Sequence, residues 1–344
     1  MDSVIDWLME GDAAIRWQTM RDLLDAPEGA WQAERQRTLG TGWGGQLLAL
    51  QAEDGSWGGG IYSPKWISTT YTLLLLCDIG IPPTNPAGSR GARLVLDRLL
   101  GETCDEKFMQ KLAACDRCIV GMILQLAVYF GIEDERTQAL VDNLLSERMP
   151  DGGWNCRRGR RPKPPHHSSF HTTFNVLGGL REFVEKRQDA PLRSAVLEAE
   201  QGALSMMLEH RLFKSHRTGE NIDPKKKFTL LAFPYRWHYN VLRGLEYFAR
   251  VAGTPPGTPS GAPRTAPEAA RDPRLQDAID LLHASRREDG LWPLQYKFSG
   301  KVYFDMEKVG KPSRWVTLRA LRALRALRAL GAWEQNGSES EAIQ

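Results

Sequence analysis

The sequence predicts an all-α fold of stacked helical hairpins, and three observations lead there. Apolar residues recur at helical spacing, as in Ala13, Trp17, Met20 and Leu24, or Val141, Leu144 and Leu145. Alternating runs of β-branched residues, the mark of strands, are few. One turn occurs three times, each time closing an apolar stretch: Asp54-Gly55-Ser56-Trp57, Asp151-Gly152-Gly153-Trp154 and Asp289-Gly290-Leu291-Trp292. Asp-Gly suits a helix C-terminus, because glycine takes the left-handed conformation cheaply. The Trp two residues on is placed to fold back onto the packed helices.

Taken in order, the chain first gives Trp7 to Leu24 as an outer helix or helical pair within a 1–44 extension. A repeat region, 45–331, follows. After each turn comes an aromatic residue and then an apolar helix: Trp66-Ile67-Ser68-Thr69, Phe170-His171-Thr172-Thr173, Trp237-His238-Tyr239-Asn240 and Trp315-Val316-Thr317-Leu318. A fifth copy puts Asp116 in the aromatic slot, in Cys115-Asp116-Arg117-Cys118. The anchors recur about every 50 residues at first and more widely later. A Pro/Gly-rich insert at 253–273, expected to be a surface loop or linker, stretches the last interval. Helices as apolar as Thr72-Leu73-Leu74-Leu75-Leu76 need cover on most sides, so a closed ring is favoured over an open superhelix. Leu318 to Leu327 repeats every three residues, and such a stripe winds around a helix. Some of Arg319, Arg322, Arg325 and Arg328 must then meet acidic partners or a phosphate. The segment 332–344 reads as a flexible tail.

Composition narrows the function classes. The 344 residues are 42% hydrophobic and 25% charged, with a net charge of +3. That balance does not favour nucleic-acid binding. No stretch approaches the roughly 20 apolar residues of a membrane span. The first residues lack a basic n-region, so no secretory leader is expected. Five cysteines in a chain this long make no disulfide framework, and a reduced, cytoplasmic setting is expected.

Gln51-x-x-x-Gly55-x-Trp57 has the form of the QW repeat, and the recurring DGxW turns are similar to those of the squalene cyclase and protein prenyltransferase β-subunit superfamily. The resemblance spans about residues 45 to 331. It implies a single αα-toroid of about five to six helical hairpins around an apolar cavity. The Asp-x-Asp-Asp acid of the cyclases is absent; the nearest acidic clusters are Glu133-Asp134-Glu135 and Asp305-Met306-Glu307. Asp116-Arg117-Cys118, followed one repeat later by Phe170-His171-Thr172, resembles the zinc site of prenyltransferase β subunits. The resemblance therefore implies Asp116, Cys118 and His171 as zinc ligands and catalytic residues. Asp, Cys and His are competent zinc ligands, and three of them leave an open position where a thiol is activated. It further implies an isoprenoid or isoprenoid diphosphate partner. Trp66, Tyr71, Phe170, Trp237, His238, Tyr239 and Trp315 would then line the cavity, with Arg236 and Arg314 at its rim. Lys107 and Lys111 stand where the relatives carry a diphosphate-gripping glycine turn.

The function so implied is zinc-dependent prenyl or alkyl transfer to a thiol. The alternatives are a terpene cyclase-like enzyme and a non-catalytic isoprenoid-binding scaffold. Other readings of the same residues stay open. Asp116 caps a helix, and Cys118 and His171 are core residues, in a purely structural account. Cys115-x-x-Cys118 is a redox pair or half a zinc knuckle. His238 is a further ligand or an interior hydrogen-bonded histidine. The basic run Arg157 to Lys163 is a solvated loop or a recruiting patch for a phosphorylated substrate.

Overall fold

The structure is a computed structural model and describes residues 2–156, 164–188, 191–252 and 271–329. Among them are fourteen α-helices and no strand. The basic run 157–163, the core of the insert (253–270) and the tail lie outside the described residues.

The N-terminal extension holds α1 (Asp2–Met9), α2 (Ala13–Asp22), α3 (Glu28–Arg37) and α4 (Gly42–Ala49), so Trp7 to Leu24 is a pair rather than one helix. Asp12 breaks it: its carboxylate accepts the Ala14 amide at 2.8 Å and caps α2. The repeat region then alternates α5 (Thr69–Ile79), α6 (Pro86–Leu99), α7 (Glu106–Ala114), α8 (Arg117–Tyr129), α9 (Glu135–Ser146), α10 (Phe170–Lys186), α11 (Arg193–Glu209), α12 (Val241–Ala252), α13 (Gln276–Ala284) and α14 (Arg314–Ala329). Helices α5, α8, α10, α12 and α14 are buried along most of their length. Helices α6, α9, α11 and α13 pack against them from outside.

The three turns behave alike in atomic detail. Gly55, Gly152 and Gly290 have φ of 88°, 100° and 81°, the left-handed region expected of them. Trp57, Trp154 and Trp292 fold back fully buried. Each indole donates to the carbonyl ten residues earlier (Leu47, Leu144, Leu282) at 2.7 Å. Each Trp amide donates to a threonine hydroxyl of the next inner helix (Thr69, Thr173, Thr317) at 3.0 Å. One tryptophan thus ties the end of an outer helix to the start of the following inner one.

The inner helices pack on one another in part. α5 packs on α8, α8 on α10, and α12 on α14. Arg250 of α12 pairs with Glu182 and Glu185 of α10. Arg319 of α14 pairs with Asp78 of α5 at 2.9 Å. The same junction is laced by backbone: Trp66 donates to Lys301 and Lys301 to Lys65, at 2.7 and 2.8 Å. Gly300 permits this close approach, since a Cβ there would sit 2.5 Å from the Trp66 indole nitrogen. The arginine stripe of α14 finds the acidic partners its winding requires. Arg319 and Arg322 share Glu246, Arg322 also takes Asp22, and Arg325 takes Asp25.

Candidate functional site

Two neighbouring groups of side chains carry chemistry, and both lie where inner helices begin. The first gathers around the N-termini of α8 and α10. Asp116 is the N-cap residue of α8 by backbone, but its carboxylate makes no capping hydrogen bond. Arg117 is buried and donates to the carbonyls of Leu112, Ala113 and Cys115, stapling the end of α7 to the start of α8. Glycine lets α8 and α10 come together: a Cβ on Gly121 would lie 2.4 Å from the Asn175 carbonyl oxygen. That approach sets Cys118 beside the segment leading into α10. There the Cys156 and Cys118 sulfurs are in hydrogen-bond contact at 3.3 Å, and Cys156 contacts the Thr172 hydroxyl at 3.4 Å. The contact between the two thiols splits their acidities, drawing one below and the other above the ordinary thiol range, so the pair readily holds one negative charge. A helix N-terminus on each side favours negative charge here.

His171 holds the next segment in place. Its Nδ1 accepts the Tyr239 amide at 2.8 Å. The Asn175 amide, one turn on, donates to the carbonyls of His171 and Trp237. His238 is sandwiched between Trp237 and Phe298, with ring centroids 3.8 and 3.7 Å away. Burial holds the His171 imidazole down to about 4; burial, then the neighbouring His171, holds His238 down to about 3. Both are neutral at pH 7.

Zinc was expected on Asp116, Cys118 and His171. Among the described residues, no three His, Cys, Asp or Glu side chains are grouped to hold a metal ion. Cys118 contacts Cys156, and His171 accepts from the Tyr239 amide through Nδ1; we derive no step through a metal. Cys156 is a further thiol of this group; its position two residues after the Asp-Gly-Gly-Trp turn marks it in the sequence as a residue that packs or lies near the site.

The second group is an aromatic cleft. Of the residues expected to line a cavity, Trp66 and Arg236 do so. Tyr71, Tyr239 and Trp315 are instead fully buried and outside its lining, and Phe170 is nearly as buried. Trp237 stands beside the cleft over His171 and His238 rather than among its lining residues. Trp315 stacks on Phe233 and Trp43. Arg314 lies elsewhere: its guanidinium covers the Trp7 ring and donates to the Trp7 carbonyl, pinning α1. The remaining wall comes from Phe298, Tyr303 and Phe304, on the segment between the third turn and α14. Sequence reasoning missed this segment because it has no helical period and no repeat partner.

Two carboxylates also line the cleft, but both are engaged elsewhere: Asp305 pairs with Lys297, and Glu307 accepts from the Ser313 hydroxyl and the Arg314 amide. Arg236 (φ 57°) lies over the Trp66 ring, 5.7 Å from its centroid, and among the described residues no carboxylate is within ion-pair distance of it. Its strongest attraction is to Asp78, which already serves Arg319. Burial holds the guanidinium down to about 10, so it remains charged at pH 7. The Lys65 ammonium sits within 6.0 Å of the rings of Tyr62, Trp66, Tyr71 and Trp237. Burial lowers its pKa, against a smaller opposing pull from Cys118.

The buried imidazoles set a pH dependence. Their folded pKa values lie below the ordinary 6.5, so the unfolded chain takes up protons first as pH falls. Stability contributed by keeping them neutral is complete above 6.5 and is lost as pH falls from 6.5, down to about 4 for His171 and about 3 for His238. Around His238 the like charges are Lys65, Lys227 and Arg243. Replacing His238 by Phe is expected to flatten the fall in urea midpoint between pH 7 and 5. An unaltered slope would show that other groups cause it.

No protein-family model and no curated protein matches the chain. The solved structure of a protein from Actinoplanes is similar over 93% of this chain and 90% of that one, with 15% identity and a TM-score of 0.42.

Proposed function

We propose that the aromatic cleft binds an apolar molecule with an anionic head, of the isoprenoid diphosphate class, with Arg236 as the anion contact. One observation carries this reading: a charged, largely buried guanidinium faces an aromatic cleft and lacks a carboxylate partner among the described residues. Leaving such a cation unpaired costs free energy, and an anion entering the cleft would relieve it. Trp66, Phe298, Tyr303 and Phe304 supply the apolar surface for the tail.

Transfer of the prenyl group to a thiol is the second reading, favoured by the Cys118–Cys156 contact. The ammonium of Lys65 links the two groups, lying over Trp66 and feeling the Cys118 thiol. The ring-shaped, toroidal architecture belongs to the same proposal. It is supported by the inner-helix contacts and by the junction between residues 65–66 and 301.

Calorimetry with farnesyl and geranylgeranyl diphosphates tests the binding. Arg236→Leu should weaken it at least tenfold, the scale of losing one charge-assisted contact of about 1.5–3 kcal/mol. Its thermal midpoint should not fall, since it removes an unpaired buried charge. If neither diphosphate binds the parent protein, the non-catalytic scaffold reading takes its place.

A further inference from the structure

We propose that Cys118 and Cys156 are a peroxide-reactive pair that closes into a reversible disulfide between the start of α8 and the turn that leads into α10. The two sulfurs are 3.3 Å apart although the residues are 38 positions apart in the chain. Each is held from its own side. Cys118 stands in the first turn of α8, which Arg117 fastens to α7 and Gly121 seats against α10. Cys156 follows the buried Trp154 anchor, its amide donates to Asn155 Oδ1 at 2.8 Å, and its sulfur rests on the Thr172 hydroxyl. Bonding needs the sulfurs to close to about 2.0 Å, little more than 1 Å of travel. Both residues are half-buried rather than sealed in the core, so a small oxidant has access.

The chemistry balances with a hydroperoxide as oxidant. Cys156, whose sulfur lies against both Cys118 and the Thr172 hydroxyl, attacks the peroxide oxygen as its thiolate. The O–O bond breaks, Cys156 becomes a sulfenic acid, and hydroxide (or an alkoxide) leaves. The Cys118 thiol then attacks that sulfur. The S–S bond forms, the S–O bond breaks, and the Cys118 proton leaves with the hydroxyl as water. Two thiols lose two electrons and the peroxide gains them. A thiol reductant reverses the change by exchange. The bond would tie α8 covalently to the entrance of α10, one residue from His171. The Cys115-x-x-Cys118 spacing suggests a different pair, but the thiol contact that the structure shows for Cys118 is with Cys156. The proposal does not rest on the ligand proposed above.

The test treats the full chain with hydrogen peroxide and follows thiols and mass. Five thiols titrate in the denatured, reduced protein, and two should disappear, with an intact-mass loss of about 2 Da that dithiothreitol restores. Peptide mapping without reduction should link Cys118 to Cys156. Cys115→Ser should keep the loss, and Cys118→Ser should abolish it and leave Cys156 open to a sulfenic-acid trap. A crosslink between Cys115 and Cys118 would overturn the proposal. So would an unchanged thiol count, or sulfinic acids on Cys118 and Cys156 without a crosslink.

Discussion

Trp154→Ala is expected to lower the free energy of unfolding by about 3–5 kcal/mol, the range for deleting a fully buried tryptophan. The residue has no exposed surface, and its deletion removes two kinds of support at once. A ring-sized void opens between α9 and α10, which the surrounding helices fill only in part. The Leu144 carbonyl, near the end of α9, also loses its indole donor. Trp154→Phe separates the effects. Most of the volume stays and only the hydrogen bond goes, for a cost of about 1–3 kcal/mol. Urea unfolding at pH 7 reads both. Equal losses from the Ala and Phe variants would show that the hydrogen bond, not the filled volume, holds the turn. The Cys118–Cys156 contact should loosen in the Ala variant, because Trp154 anchors the segment carrying Cys156.

Glu246→Ala should be about as severe, roughly 3–5 kcal/mol, because it strips a buried ion network of its central acid. Glu246 accepts from Arg319, Arg322 and the Tyr235 hydroxyl at 3.1, 2.6 and 3.0 Å. Arg319 is buried to 8% of its side-chain surface, so water cannot replace the lost carboxylate. Asp78 and Asp22 remain, one for each arginine, which keeps the cost finite. The pH dependence has the opposite origin to that of the histidines. Burial alone would raise the Glu246 pKa, but Arg319 and Arg322 outweigh it and hold it below the ordinary 4.5. A carboxylate with a depressed folded pKa contributes stability that is complete above 4.5 and is lost as pH falls through the folded value. The Ala variant should therefore lose less stability than the parent protein below pH 4.5. If the two acid profiles run parallel, the carboxylate is not the charged centre of the network.

The turns and the arginine stripe show how far local pattern reaches. Asp-Gly followed by Trp predicts a left-handed glycine and a tryptophan folded back, and the structure repeats that geometry at residues 57, 154 and 292. The three-residue period of α14 predicts arginines pressed against other helices, because no single face of a helix can hold them. The site was legible in part. Trp66 and Arg236 stand out in the sequence and line the cleft, whereas Cys118 meets Cys156 and His171 meets Tyr239. Arg314 was taken for a rim residue, yet it braces α1. Nothing in its own repeat shows that a tryptophan from the first helix comes to lie beneath it.

The sequence by itself determined the all-helical fold, the turns and the layering of helices, because helical spacing, glycine conformation and the burial of apolar stripes are properties of neighbouring residues. Only the tertiary structure decided that Cys118 faces Cys156, that the segment around Phe298 and Tyr303 walls the cleft beside Trp66, and that Arg236 has no carboxylate in ion-pair contact among the described residues. Those are contacts between residues 38 to more than 200 positions apart. They depend on how closely the helices approach and on how one end of the chain meets the other, and no local period encodes either.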